Sequence, residues 1–152
     1  FAQNIPTDSY YNLHCNAGVT YLLTGSGTTT VNGECKVFSG STTLSTAGNL
    51  TAATMDLDGA ISTGQYDITV SGASDIDGTL TIVSGTYEAN GSFDATNGTV
   101  DFTGAGTLKL GSTVTSLGAL DDAAGTVEFD QSSGITQTIP TDSYYNLHCI
   151  LY

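Results

Sequence analysis

A chain of 152 residues is long enough for one domain with its own core, yet only 11% of it is charged, against a usual value of about 25%. Fifteen acidic residues face two lysines, Lys36 and Lys109, and no arginine, so the net charge is −13; such a surface repels phosphate backbones and anionic membranes, which excludes nucleic acid as a partner. No apolar run approaches the ~20 residues of a membrane span, and the Ala, Leu, Glu and Lys windows of long helices are missing.

Along the chain, short runs alternate apolar and polar residues: Tyr11–Cys15, Thr20–Leu23, Thr28–Val31, Cys35–Phe38, Tyr66–Val70, Thr79–Ile82, Thr86–Ala89, Thr99–Phe102, Thr107–Leu110 and Thr126–Phe129. A period of two buries one face of a strand and wets the other. Thr, Val, Ile, Tyr and Phe suit such a surface, and the Gly-Ser, Asn-Gly and Ser-Gly pairs between the runs supply turns. Asn-Gly also makes hairpins, so a sandwich or meander is the competing fold.

Repetition favours a solenoid. The segment Ile5-Pro-Thr-Asp-Ser-Tyr-Tyr-Asn-Leu-His-Cys15 returns unchanged as 139–149, with Gln3 and Gln137 in the same register. Residues 1–152 therefore read as a single β-solenoid unit holding one 134-residue period with overlapping ends, and Phe1-Ala2-Gln3 as part of the repeat instead of a processing scar. Asp56-Leu-Asp-Gly59 is followed 19 residues on by Asp75-Ile-Asp-Gly78, and Asp94 lies another 19 on. The expected fold is all-β: a right-handed parallel β-helix of short strands, with about 19–20 residues per coil. One period then holds about seven coils and rises roughly 34 Å.

Gly98-Thr-Val-Asp-Phe102 and Gly125-Thr-Val-Glu-Phe129 resemble the G-T-V-x-F repeats of very large secreted bacterial surface proteins, in which a T-I-P-x-x-x-Y-Y-N-L segment often follows, as Thr138–Leu147 does here. The chain is also similar to filamentous-haemagglutinin-like adhesins and autotransporter passengers. The resemblance implies secretion to the extracellular surface, an elongated shape, and adhesive, scaffolding or biofilm work. A pair of cysteines per unit departs from such repeats.

In the strand reading Tyr11, Leu13 and Cys15 face inward, and Tyr10, Asn12 and His14 outward. Cys15 and Cys35 then point inward about one coil apart, near 4.8 Å between Cα atoms and inside the ~4.4–6.8 Å range for a disulfide. The expectation is a Cys15–Cys35 bridge, with Cys149 as the next unit's Cys15; two buried thiols are the alternative. Asp56, Asp58, Asp75, Asp77 and Asp94 form outward ladders, either a calcium site or acidic turns in water. His14 and His148 are copies of one position and lack metal-ligand spacing. His14 beside Cys15 is no dyad, because strand neighbours diverge. With no arginine to hold uronate and no nucleophile motif, the chain is not expected to be an enzyme, and no cofactor besides calcium is expected.

The expected function is a structural repeat unit of an extracellular fibre or filamentous surface protein, its partners being copies of itself, head to tail along the solenoid axis. The junction would involve Ile5, Tyr11 and Leu13 at one end and Cys149, Ile150, Leu151 and Tyr152 at the other. Covalent continuation and stacking of separate subunits both satisfy this. The alternative is an adhesin module recognising glycan or host protein, with Tyr10 and Tyr144 as first contacts.

Overall fold

Alternating side chains carry directly into the backbone of a computed structural model, which describes residues 2–40, 42–131 and 136–151, Leu151 by its backbone alone. The first coil contains β1 (Ala2–Pro6), β2 (Ser9–Tyr10) and β3 (Leu13–Cys15); the second β4 (Thr20–Thr24) and β5 (Thr28–Val37); the third β6 (Thr43–Thr46) and β7 (Asn49–Leu57). Then come β8 (Ala60–Ser62), β9 (Ile68–Val70) and β10 (Ser74–Ile76), followed by β11 (Thr79–Ile82), β12 (Thr86–Ala89) and β13 (Phe93–Asp94). The sixth coil is β14 (Thr99–Phe102), β15 (Thr107–Leu110) and β16 (Val114–Ser116); β17 (Ala119–Asp121) and β18 (Thr126–Gln131) follow, and β19 (Leu147–Leu151) lies on β18.

Every strand pairing among the described residues is parallel, and each joins one coil to the next. The first strands of successive coils make a seven-stranded sheet, β1-β4-β6-β8-β11-β14-β17, and the second and third strands share a twelve-stranded sheet. The chain is thus an all-β parallel solenoid of about seven turns. Successive Ala2, Thr20, Thr43, Ala60, Thr79, Thr99 and Ala119 are register partners. Coil length is uneven at first, longest from Thr20 to Thr43, and becomes regular from Ala60 onward. β5 and β7 each run through the second and third positions without a break, where the sequence pattern predicts two short strands or none.

Inward residues stack like on like. Leu44, Ile61, Leu80 and Val100 form one buried column, and Leu50, Ile68, Tyr87, Leu108 and Val127 another. Fully buried Tyr87 donates its hydroxyl to Ser74 Oγ at 3.0 Å, which satisfies both polar groups inside the core.

Corners need glycine because each coil lies directly on the one beneath. Gly59, Gly78, Gly98 and Gly118 stack at the corner before each first strand, where Thr79 N–H donates to Gly59 O at 2.8 Å and Thr99 N–H to Gly78 O at 2.8 Å. A Cβ on Gly78 would overlap the Gly59 carbonyl. Gly78→Ala should therefore lower the unfolding free energy by about 1–3 kcal/mol, the cost of overpacking, read from the urea midpoint. A loss below about 0.5 kcal/mol, the ordinary surface value, would contradict this role.

Candidate functional site

The outward face of the third strands carries a charged column in register: His14, Lys36, Asp56, Asp75 and Asp94. Three of the five expected aspartates, Asp56, Asp75 and Asp94, therefore stand in one column, and Lys36 lies at its end. Lys36 Nζ pairs with Asp56 and reaches Asp58 Oδ2 at 3.3 Å, and it lies 5.0 Å from the Phe38 ring centroid. The spacing of Lys36 from Asp56, one coil, is the signal that finds it. His14 Nε2 lies 2.9 Å from Glu34 Oε2 on the same face.

Two of the other carboxylates, Asp77 and Asp94, have hydrogen-bond partners of their own. Asp77 Oδ1 accepts from Asn97 Nδ2 at 3.2 Å, and Asp94 Oδ1 accepts from the Thr96 backbone N–H at 3.0 Å. Among the described residues no three His, Cys, Asp or Glu side chains converge to hold a metal ion. Desolvation raises the Asp75 pKa above its ordinary 3.8, and the charges of Asp77, Asp56, Asp94 and Asp58 raise it further. On the second strands the matching column is Thr69, Glu88, Lys109, Glu128 and His148. There Lys109 Nζ meets Asp130 Oδ2 at 2.7 Å and Glu88 Oε1 at 3.3 Å, and these bonds raise its pKa.

Cys15 and Cys35 both point inward and are fully buried, but they are free thiols, which corrects the expected disulfide. The coil between them is longer than their spacing in the sequence allows: Leu13 pairs with Cys35, and Cys15 with Val37. The two cysteines are diagonal neighbours about 8 Å apart at Cα, from the strand spacing and a two-residue offset, outside disulfide range. Burial pushes the Cys15 thiol up to about 11, and the Cys35 thiol higher still.

Tyrosine exposure also differs from strict alternation. Tyr11 is 79% exposed, while Tyr10 and Tyr144 are half-buried against the core. The chain turns a corner between β2 and β3, so parity does not carry from Leu13 back to Tyr11. The exposed aromatic residues of the repeated segment are Tyr11 and Tyr145, in place of Tyr10 and Tyr144.

The two copies of the segment share a local turn but not a seat. Tyr10 donates its hydroxyl to Pro6 O at 2.8 Å and Tyr144 to Pro140 O at 2.7 Å; Ser9 N–H donates to Asp8 Oδ1 and Ser143 N–H to Asp142 Oδ1, both at 2.8 Å. The first copy lies under β4 and β5, with Ile5 buried against Leu23 of β4, Leu13 against Cys35 of β5, and Asn12 Oδ1 accepting from Glu34 N–H at 2.9 Å. In the second copy Leu147 pairs with Val127 and Cys149 with Phe129, one strand position earlier in the coil. There Leu147 is 41% exposed and Cys149 is exposed. Ile150 is half-buried opposite Asp130, the Leu151 backbone pairs with Gln131, and Tyr152 lies outside the described residues.

No protein-family model, curated protein or solved structure matches the chain.

Two outcomes follow. A thiol reagent should label one cysteine per folded chain, Cys149, and all three after unfolding; rapid labelling of Cys15 in the native state would contradict the buried seat. Neutral Asp75 favours the fold, so its contribution is present below pH 3.8 and is lost as pH rises through the higher folded value. Asp75→Asn should therefore raise stability at pH 7, by about 0.5 kcal/mol after solvent screening. The gain should vanish in acid, as followed by urea melts at both pH values.

Proposed function

We propose that the chain is a structural repeat unit of an extracellular filament or surface fibre, in which units stack end to end along the solenoid axis. The observation that carries this reading is the interior layer on β19. Leu147 and Cys149 continue the inward columns of Val127 and Phe129, yet their side chains are exposed. The same two residue types lie at 9% and 0% exposure in the first copy, where β3 likewise pairs with one strand, β5, but at the third strand position of its coil. Among the described residues β19 pairs with β18 alone; a strand edge beside exposed apolar residues is a template for another strand, and solenoid stability grows with each neighbour stacked.

The surface chemistry supports a structural role. Its outward columns hold lysine–carboxylate pairs, and the groove beside Thr30, Thr51, Thr69 and Ser71 is a shallow one of about 240 Å³. The proposed secreted setting suits a chain that keeps its polarity in Thr, Ser and Asn. A unit of net charge −13 repels its copies, and salt relieves that repulsion.

Negative-stain electron microscopy of the purified chain at about 0.15 M salt should show filaments with an axial repeat of roughly 34 Å, seven coils at the ~4.8 Å spacing. Isolated particles at all salt concentrations would contradict the reading.

A further inference from the structure

The seat under β5 is shaped for one sequence, and the chain holds that sequence twice. In the seat, Leu13 and Cys15 are buried opposite Cys35 and Val37, and His14 meets Glu34. Gly33 donates its N–H to Tyr11 O at 2.6 Å, and an added Cβ at Gly33 would overlap the Asn12 side chain. Residues 139–149 carry every one of these groups in the same order. They already hold the same Pro-Thr-Asp-Ser-Tyr turn, with the same hydroxyl-to-carbonyl bond. Yet they occupy a different column, where Leu147 and Cys149 remain exposed. Residues 136–146, which lead into β19, form no strand.

We infer that residues 139–149 of one molecule replace residues 5–15 on β4 and β5 of a second copy, so that units join by strand exchange. This rests on the end-to-end reading above and names its joint. The incoming segment slides along the coil until Tyr144 stands where Tyr10 stands, opposite Val31, and Leu147 opposite Cys35. The donated segment then pairs with β5 of the acceptor, and its Leu147 and Cys149 take the buried positions of Leu13 and Cys15. Two exposed side chains, Leu147 and Cys149, are buried, and the acceptor seat sees no change of sequence. Exchange of an identical element between protomers is a low-cost route to assembly, and here each molecule both gives and receives, so the chain of units stays open.

The test is Leu147→Cys in the full chain, an exposed position in the monomer. Assembled protein is oxidised, separated from monomer, and mapped by peptide mass spectrometry. The expected result is an intermolecular bond between position 147 and Cys35, because exchange makes them direct register partners. Assemblies that form without that bond would overturn the exchange and leave end-to-end stacking intact. A chain that stays monomeric would overturn both. The companion variant Leu147→Asp should keep the monomer's melting temperature and lose assembly at least tenfold, because a carboxylate cannot enter the seat opposite Cys35; unchanged assembly would also overturn the exchange.

Discussion

Coil stacked directly on coil, about 4.8 Å apart, is the constraint from which the rest of this molecule follows. It requires that each backbone N–H and C=O of a strand find its partner one turn away. It leaves no room for a side chain at the corners, so Gly59, Gly78, Gly98 and Gly118 stand above one another. It also brings like to like: an aliphatic residue in one coil meets the aliphatic residue of the next, and the core becomes a set of columns instead of a jigsaw. Tyr87 interrupts its column with a hydroxyl, and Ser74 supplies the acceptor that keeps the interruption tolerable.

The same constraint makes charge a problem on the outside. Aspartates one coil apart repel each other, and Asp56, Asp75 and Asp94 lie in register. The chain places its two lysines where they relieve this strain, Lys36 beside Asp56 and Asp58, and Lys109 between Glu88 and Asp130. Neither lysine is left over for a substrate or a phosphate. Asp75, between two aspartates in the column, takes the residual repulsion.

Much of this was legible from residues alone. Thr79–Ile82, Thr86–Ala89, Thr99–Phe102 and Thr107–Leu110 are strands with the limits their alternation predicts. The even spacing of Asp56, Asp75 and Asp94 is the register itself. What escaped has local causes. β7 runs through Ala52, Ala53 and Thr54, where small residues blur the alternation; β6 carries a single apolar residue, Leu44, and β17 is three residues long, so neither shows a period. The disulfide failed because the early coils are irregular: Leu13, not Cys15, stands opposite Cys35, and the pairing of β5 with β7 shifts register between Val31 and Glu34. Tyr11 was misplaced because alternation was carried across a corner. Least legible was the second copy of 5–15, since identical sequence predicts an identical seat, and the neighbours on offer decide otherwise.

Stacking in register can be measured without reference to assembly. Ser45, Ser62, Thr81, Asp101 and Asp121 follow one outward column through the first sheet. Spin labels at positions 45 and 121 therefore stand four coils apart, about 19 Å along the axis. Pulsed electron paramagnetic resonance on dilute protein should give one narrow distance distribution near that value, broadened only by the label arms. A broad distribution, or one centred at twice that separation, would contradict the stacked parallel solenoid on which the fold, the acidic columns and the proposed joint all depend.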